Sequence, residues 1–394
     1  MKVAICNVQE FNPQIGGIER VSVSLATELI KQGVNVIFVA SRKSPYSKEY
    51  ELPAKQYMLP NDLDYAEENI IAFANIIRKE KVDILLNQNA HSYLYNKECY
   101  KVKERTGVKL ISVLHFCPDM RLKSNRNLFD CKFFTLKENI NHILRDMCTR
   151  FPWKIITMAP HRKLYRHLYN TNDKVVLLSR NFVPSFCKIA GIRREDKICT
   201  INNMLSFQYD KEFHVKNKRK QILFCGRLVS QKNPYRVLYL WKRMYRQLPD
   251  WELIIVGGGP WQEKMEKLKN LFHLPNVKML GFQNPVDFYK FASIYIMTSN
   301  YEGWPLTLME SMQFGCIPIA FESFESIRDI VDDGQNGILI PPFDIDIMAD
   351  SLIRLIKEDN LTQYAESAHK KMKKFLPEEI GKQWISLFNG VLSK

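Results

Sequence analysis

The amino-acid sequence predicts an α/β fold built from two parallel-sheet domains. The chain has 394 residues with 46% hydrophobic content, which is enough for two full cores and too much for one small module. Apolar strands alternate with helical segments in two series, as in a parallel sheet covered by helices on both faces. Between the two series, residues 202–219 are polar and charged, which is typical of an interdomain linker. Both domains are therefore expected to be Rossmann-like.

The first series starts at the N-terminus. An apolar strand at residues 3–8 precedes a loop with the turn G-G-I-E-R, a helix at 19–32 and a strand at 34–40. The pattern continues with a predicted helix at 70–79 and predicted strands at 83–87, 109–115, 154–158 and 174–179. We expect residues 1–202 to form this first domain.

The second series starts with the strand Q-I-L-F-C-G at 221–226. Further strands are predicted at 251–257, 276–281, 294–299 and 316–320, with a helix at 306–314. In the tail, apolar residues recur at helical spacing, which predicts a helix over 377–394. We expect residues 203–376 to form the second domain and the C-terminal helix to complete the first.

The charge of the chain is concentrated in one region. The net charge is +15, and residues 101–200 hold 21 Lys and Arg against 8 Asp and Glu, an excess of 13. Such a region indicates a phosphate partner on nucleic acid, an anionic membrane or a substrate, or else a solvated lysine-rich face.

The cysteines and the apolar runs bear on the cell compartment. The nine cysteines include no C-x-x-C pair and several lie in apolar runs, so we expect reduced core residues in a cytosolic protein. The N-terminus becomes polar after one strand and no apolar run reaches the ~18 residues of a membrane span, so we expect neither export nor insertion.

The stretch N-Y-E-G-W-P-L-T-L-M-E, residues 300–310, is the first candidate site. Ligands of open α/β sheets bind beyond the carboxyl ends of the strands, and this stretch follows such a strand. Pro305 suits a first helical turn, where the free amides after it can bind an anion. Glu310 leans back toward that helix start, so with Glu302 it offers two carboxylates for sugar hydroxyls. The alternative is that Glu302 complements the helix dipole and Glu310 is a surface residue.

Three further stretches fall at predicted strand ends. Arg227 and Lys232 leave the strand at 221–226 five residues apart, and an Arg fork with a Lys point charge suits a diphosphate. Gly16 and Gly17 allow a close approach of backbone to a ligand at a helix start. His115 ends a buried strand of the first domain. Each feature also has a structural reading, as surface cations, an ordinary turn and a core histidine.

Together the four motifs resemble those of glycosyltransferase family 4, and the chain resembles its bacterial polysaccharide and lipopolysaccharide enzymes. The E-x7-E signature of that family is matched by Glu302, Gly303, Trp304, Pro305, Leu306 and Glu310. Its G-R-L-x-x-x-K element is matched by Gly226, Arg227, Leu228 and Lys232, its N-terminal loop by Gly16, Gly17, Glu19 and Arg20, and its strand-end histidine by His115.

The resemblance implies a retaining glycosyltransferase of the GT-B fold, with two Rossmann-like domains facing a central cleft. It implies that Arg227 and Lys232 bind the donor diphosphate, that Glu310 holds the ribose, and that Glu302 and His115 lie near the transferred sugar as catalytic residues. Gly16, Gly17, Gly303, Trp304 and Leu306 are expected to contact the donor as well.

Cofactor and partner expectations follow from the same resemblance. The partners are a nucleotide-diphosphate sugar and a saccharide or lipid-linked acceptor, with no cofactor. No D-x-D motif occurs in the expected donor loops, so no metal is expected either. The chain departs from the family in two places. At the linker, Asn202, Asn203 and Met204 replace P-N-G, so we expect altered linker geometry. The G-D-G-P of the family is replaced by G-G-G-P at Gly257–Pro260.

The basic region fits the acceptor side of such an enzyme. Each Lys or Arg near an anionic membrane surface contributes about 1 kcal/mol of binding free energy, so a handful of these residues would bind the inner leaflet reversibly. The mixed basic and apolar segment 121–134 would lie in that interface, or else be a partly buried connection. We expect a cytoplasmic protein that is peripheral to the inner face of the cell membrane.

Two other functions compete. A nucleotide-sugar 2-epimerase of the same fold would bind a similar donor without an acceptor, although E-x7-E with G-R-L-x-x-x-K favours transfer. A nucleic-acid-binding protein would explain the basic charge, but the chain carries no helix-turn-helix, zinc-finger or RNP signature, so no nucleic acid is expected. The sequence does not specify the sugar, the base or the acceptor.

Overall fold

The computed structural model of the chain describes residues 1–44, 50–123, 140, 153–211, 213, 215–358 and 360–393. The chain divides into two compact units. One unit contains Met1–Ser206 together with Phe375–Lys394, and the other contains Phe207–Lys374. The sequence-based expectation had placed these boundaries at residues 202 and 377, a few residues away.

The first unit contains a parallel sheet of seven strands in the described part of the chain, in the order β3-β2-β1-β4-β5-β6-β7. Its central strands β4 and β5 are almost wholly buried, as parallel strands covered by helices on both faces are, whereas the edge strand β3 is partly exposed throughout. They are β1 (Lys2–Gln9), β2 (Asn35–Arg42), β3 (Gln56–Met58), β4 (Ile84–Asn87), β5 (Lys109–Leu114), β6 (Lys174–Leu177) and β7 (Ile198–Thr200).

Helices connect these strands and cover the sheet. Ser92 caps the helix that begins at Tyr93, because its side chain accepts a hydrogen bond from the Tyr95 backbone amide. The helices are α1 (Gly17–Lys31), α2 (Glu67–Glu80), α3 (Tyr93–Thr106), α4 (Met120–Lys123), α5 (Trp153–Thr171), α6 (Val183–Ala190) and the C-terminal α14 (Pro377–Leu392).

The C-terminal helix packs against α1. Gly381 lies at the contact, where an added Cβ would be 2.5 Å from Nε2 of Gln32 and 2.9 Å from Cγ of Glu28. Only a residue without a side chain fits there without a shift of its neighbours. On its buried face, α14 places Ile380, Trp384 and Phe388 against the unit. The last turns of the chain therefore belong to the same core as its first strand.

The expectation of a strand at residues 154–158 is wrong, because these residues begin α5. Ile156 is exposed, whereas Met158, Leu164 and Leu168 are buried toward the unit. A short apolar run cannot be assigned to strand or helix by periodicity alone. Pro160 lies inside this helix, although proline normally ends one, so the local signals favoured the wrong element.

The second unit contains a parallel sheet of six strands among the described residues, in the order β10-β9-β8-β11-β12-β13. The central β11 is buried at every position, which matches its continuous apolar sequence. The strands are β8 (Arg219–Cys225), β9 (Glu252–Val256), β10 (Val277–Met279), β11 (Ala292–Met297), β12 (Ile317–Phe321) and β13 (Ile338–Ile340).

The helices of the second unit follow its strands in turn. The expected helix at 306–314 is present with nearly the same limits. The helices are α7 (Tyr235–Met244), α8 (Gln262–Leu271), α9 (Val286–Phe291), α10 (Leu306–Gln313), α11 (Ile327–Ile330), α12 (Ile345–Lys357) and α13 (Leu361–Lys371).

Candidate active site

The strand order of the second sheet defines its ligand edge. From β8 the chain builds outward through β9 and β10 on one side, and through β11, β12 and β13 on the other. In a parallel sheet, the loops that leave two such neighbouring strands diverge and open a crevice at their carboxyl ends. The two motifs singled out in the sequence follow β8 and β11, so both lie at this crevice.

Backbone packing shapes the loop after β8. Gly257 follows β9 with φ 133°, and an added Cβ would lie 2.0 Å from the carbonyl oxygen of Gly226. The amide of Leu228 donates to the carbonyl of Gly258 at 2.9 Å, which joins the two loops. Glycine at 257 is therefore required by a close approach of backbone to backbone.

Lys232 and Glu302 form an ion pair across the crevice. Nζ of Lys232 lies 2.7 Å from Oε1 of Glu302, and the two side chains are only 14% and 7% exposed. Nε2 of the Gln231 side chain donates to Oε2 of Glu302 and to the carbonyl of Tyr301, at 3.2 Å in each case. The charge of the first glutamate of E-x7-E is therefore balanced by the lysine of the other motif.

Asn300 ties the loop after β11 to the loop after β8. Its Nδ2 donates to the carbonyl of Ser230 and its amide donates to the carbonyl of Gln231, both at 2.8 Å. Its Oδ1 accepts from Nη1 of Arg236 at 3.1 Å. Gln231 and Asn300 lie inside the two motifs, but no feature of the sequence singles them out as site residues.

Arg227 differs from Lys232 in its surroundings. Its side chain is exposed, and it makes no ion pair or hydrogen bond with the part of the chain that the structure describes. A guanidinium in this position can reorient to meet an anion without first breaking another contact. The two cations of the motif are therefore present at one edge, one paired and one accessible.

Pro305 immediately precedes α10, which begins at Leu306. The sequence predicts this proline in the first helical turn, whereas it occupies the N-cap position with ψ 89°. The amides of Leu308 and Met309 bond to the Pro305 carbonyl, so the earliest amides of the helix are those still available to an anion.

Glu310 is buried, which excludes its reading as a surface residue. It is 1% exposed, and its Oε2 accepts a hydrogen bond from the hydroxyl of Tyr289 at 3.1 Å. Burial raises the pKa of the Tyr289 phenol well above its usual range, so this hydroxyl is a permanent donor. No sequence signal pointed to Tyr289, because it precedes β11 by a few residues on α9.

The hydroxyl of Tyr295 contacts both motifs of this edge. Its hydroxyl donates to the carbonyl of Cys225 at 2.9 Å and contacts Oγ1 of Thr307 at 2.7 Å. It thereby connects the end of β8 to the first turn of α10. Burial raises the pKa of this phenol as well.

Gly303, Trp304 and Leu306 complete the second motif. The carbonyl of Gly303 accepts from Oγ of Ser326 at 2.8 Å. The Trp304 indole is 5% exposed and contacts the Met309 sulfur, so most of its ring supports the loop from within. A donor contact from these three residues stays a prediction.

The first sheet has its own ligand edge, between β1 and β4. Its strand order reverses there in the same way as at β8 and β11. Gly16 caps α1 after the loop from β1, Gly17 is the first residue of that helix, and His115 directly follows β5, the neighbour of β4. The three residues predicted in this unit therefore follow two strands, β1 and β5, that are separated in the sheet by β4 alone.

The reason for glycine at position 16 is a neighbouring carboxylate. Gly16 has φ −163°, an extended conformation open to any residue, but an added Cβ would lie 2.5 Å from Oε2 of Glu19. Glu19 also accepts from Nδ2 of Asn7 at 3.1 Å. Burial raises the pKa of Glu19, opposed by its backbone hydrogen bond and by Asn7. Gly16 and Gly17 as donor-binding residues stay a prediction.

His115 is largely buried and uncharged. Burial lowers its pKa to about 3, with a smaller contribution from repulsion by His91. Its Nε2 lies 2.7 Å from Oε1 of Gln88, which follows β4. The ring is therefore a neutral hydrogen-bonding group at physiological pH, and cannot serve as a fixed positive charge.

Several other features bear on the class of site. Within the described ranges, no group of three or more His, Cys, Asp or Glu could hold a metal ion, and no helix is both long and apolar enough to cross a bilayer.

A groove of about 650 Å³ lies between β7 and α14, and it includes none of the predicted site residues. The predicted segment 121–134 lies outside the described residues from position 124 onward.

Two family models match the chain and together span most of it. The model for glycosyl transferases group 1 matches residues 206–372, and the model for glycosyltransferase family 4 matches residues 15–208. An uncharacterized glycosyltransferase of Haemophilus influenzae is 26% identical over 379 residues, which are 94% of this chain and 95% of that protein.

Solved structures share the architecture. The lipopolysaccharide outer core galactosyltransferase WaaB aligns with a TM-score of 0.71 at 18% identity over 99% of both chains. HepE from Anabaena in complex with UDP-glucose aligns with a TM-score of 0.73 at 15% identity over 99% of this chain and 100% of that one. The architecture is therefore GT-B. The chain itself is a family 4 type glycosyltransferase, an enzyme of the EC 2.4 class.

Proposed function

We propose that this enzyme transfers a sugar from a nucleotide-diphosphate donor to a saccharide or lipid-linked acceptor in cell-surface polysaccharide or glycolipid assembly. The observation that carries the proposal is the meeting of two motif loops at the carboxyl ends of β8 and β11. There Arg227, Lys232 and the first amides of α10 supply positive charge, and Glu302 and Glu310 supply acceptors for hydroxyls. Phosphate and sugar hydroxyls need these two kinds of group.

Each residue has an assigned role in the proposal. Arg227 and Lys232 bind the diphosphate, Glu310 accepts hydrogen bonds from the ribose, and Glu302 contacts the transferred sugar. In this proposal, Lys232 gives up its ion pair with Glu302 and contacts a phosphate oxygen when donor binds; the pair that would be exchanged is 2.7 Å long. In the first unit, His115 hydrogen-bonds a sugar hydroxyl and the amides at Gly16 and Gly17 approach phosphate.

The chemistry follows from the leaving group. A glycosidase must protonate a poor alkoxide leaving group. A nucleoside diphosphate departs as a stable anion, so cations and amides that meet the growing charge can replace the acid. Loss of one such contact is expected to reduce the rate by about 10²-fold, roughly 3 kcal/mol.

We further propose that transfer retains the anomeric configuration without a metal. The bond from the anomeric carbon to the phosphate oxygen breaks on the same face on which the acceptor oxygen bonds to that carbon. The proton of the acceptor hydroxyl passes to the departing phosphate. Arg227 and Lys232 supply the charge that a divalent cation would otherwise contribute at the diphosphate.

The donor base is proposed as uracil, to be tested first. The support is the structural likeness to HepE, which was solved with UDP-glucose. The support for a polysaccharide or glycolipid product is the likeness to WaaB, an outer core lipopolysaccharide transferase. The experiment compares UDP-, GDP- and ADP-sugars.

A thermal-shift screen tests the donor site. A donor at about 100 times its Kd should stabilise the protein by about 2.7 kcal/mol. Arg227→Ala and Glu310→Gln should lose most of this shift, whereas Arg246→Ala, an exposed arginine before β9 at the other end of the strands, should keep it. Equal shifts in all four proteins, or none with any nucleotide sugar, would contradict the proposal.

Peripheral membrane binding is proposed for the first unit. The support is the excess of 13 positive charges in residues 101–200. Exposed members of the described part include Arg162, Lys163, Arg193 and Arg194. Co-sedimentation with vesicles containing an anionic lipid should fall steeply with salt and be absent with neutral vesicles. Equal binding to both kinds of vesicle would exclude an electrostatic origin. The proposed location is the cytoplasmic face of the membrane, without nucleic acid as a partner.

A further inference from the structure

Gln88 is a buried polar residue to which no role has yet been assigned. It directly follows β4, is 1% exposed, and places Oε1 2.7 Å from Nε2 of His115. An amide oxygen can only accept a hydrogen bond. With Oε1 of Gln88 turned toward the ring, this hydrogen bond requires a proton on Nε2 of His115.

The charge state of the ring determines what remains on its other side. His115 is neutral because burial and His91 lower its pKa to about 3. A neutral imidazole carries one proton, so Nδ1 is left with a lone pair. Within the residues that the structure describes, Nδ1 makes no hydrogen bond. It is an acceptor without a donor.

A buried network fixes the position of Gln88. The backbone amide of Gln88 donates to the carbonyl of Cys6 on β1 at 2.9 Å. The preceding Asn87 donates to Oδ1 of Asn96 at 2.8 Å and to Oγ of Ser112 at 3.1 Å, and it accepts from the amide of Asn89 at 2.8 Å. Strands β1, β4 and β5 and helix α3 therefore all hold the short loop that carries Gln88.

Two polar atoms of this loop also lack partners. Nε2 of Gln88 and Oδ1 of Asn89 are buried and make no hydrogen bond with any described residue. Such atoms are costly unless a ligand or water satisfies them. Together with Nδ1 of His115, the loop and the ring thus carry one donor and two acceptors without a partner among the described residues.

We propose that Gln88 is a positioning residue that holds His115 as the neutral tautomer protonated at Nε2, so that Nδ1 accepts a hydrogen bond from a sugar hydroxyl. The role of that hydroxyl rests on the proposed function, but the tautomer does not. An amide at position 88 suits this task because it does not favour a second proton on the ring. A carboxylate there would favour the imidazolium.

NMR of protein labelled with ¹⁵N in its eight histidines tests the tautomer without reference to activity. His115→Asn assigns the resonances of the ring. The expected result is a neutral ring protonated at Nε2 throughout pH 5.5 to 8. A ring protonated at Nδ1, or a charged ring in that range, would overturn the proposal.

Two substitutions of Gln88 separate positioning from packing. Gln88→Met keeps the volume but removes the acceptor, and should give a mixture of tautomers with kcat at least tenfold lower and donor affinity within threefold of native. Gln88→Glu should bring the titration of His115 into the measured range and add an ionisation to the pH profile of kcat, which a structural role would not do. His91 is the other titratable group whose charge acts on His115. Gln88→Glu is therefore also measured together with His91→Gln, which removes that charge.

The outcomes distinguish the two proposals. Native tautomer and native kcat in Gln88→Met would overturn the positioning role of Gln88. If the tautomer is as expected but His115→Asn transfers sugar at the native rate, then the role of His115 in the proposed function fails, and the assignment of the tautomer remains.

Discussion

The hydroxyl of Tyr289 is expected to set the affinity for donor through Glu310. The two side chains are 0% and 1% exposed, and their hydrogen bond of 3.1 Å is the contact that a Tyr289→Phe substitution removes. The ring and its packing are kept. Water cannot easily replace the hydroxyl in so enclosed a position, so the Glu310 carboxylate is left with one donor fewer.

The size of the effect follows from the kind of bond. A hydrogen bond to a charged group contributes about 1.5–3 kcal/mol, and part of this will be recovered by reorientation of the carboxylate. We therefore expect about 1.4 kcal/mol in donor binding, which is a tenfold rise in Kd. Because the ribose is remote from the bond that breaks, KM for donor should rise by a similar factor and kcat should change less than threefold.

Calorimetric titration of donor and initial-rate kinetics measure these quantities. Tyr95→Phe is the matched control, since it removes a hydroxyl from an equally buried tyrosine in the other unit. The control should leave Kd for donor unchanged. Donor binding by Tyr289→Phe within twofold of native, or a loss confined to kcat, would refute the reasoning.

Two further predictions use buried carboxylates. Glu98 accepts from the Ala66 amide, and burial raises its pKa to about 7. The folded state therefore binds this proton more tightly than the unfolded chain, and stability falls as pH rises from about 4.5 to about 7. In urea unfolding, Glu98→Gln should be more stable than native protein by about 3 kcal/mol at pH 8 and nearly as stable as native protein at pH 5. A difference in unfolding free energy that is the same at both pH values would contradict this. Glu302→Gln removes the partner of Lys232, so the nucleoside diphosphate of the donor should bind up to about tenfold more tightly while transfer falls about 10²-fold. Calorimetry showing weaker nucleotide binding would mean that Glu302 assists the nucleotide instead.

Local sequence predicted the two motifs because each is continuous in the chain. Arg227 and Lys232 lie within one loop after a strand, while Glu302 lies in the loop before α10 and Glu310 lies within that helix, so spacing and residue type are enough to recognise them. The alternating strands and helices predicted the two parallel sheets for the same reason. The error at residues 154–158 arose where an apolar run was too short for its period to be read.

Only the tertiary structure decided which groups meet. The ion pair of Lys232 with Glu302 joins residues 70 positions apart, and it depends on β8 lying beside β11. The bonds of Tyr289 to Glu310 and of Gln88 to His115 depend likewise on neighbouring strands and on the helices that connect them.

The sequence by itself thus determined the class of fold and the chemical groups at the carboxyl edge of the second sheet. The partners of those groups, their burial and their protonation states were decided by packing between distant segments. Hydrogen bonding and desolvation depend on the surroundings in space, and local periodicity does not specify those surroundings.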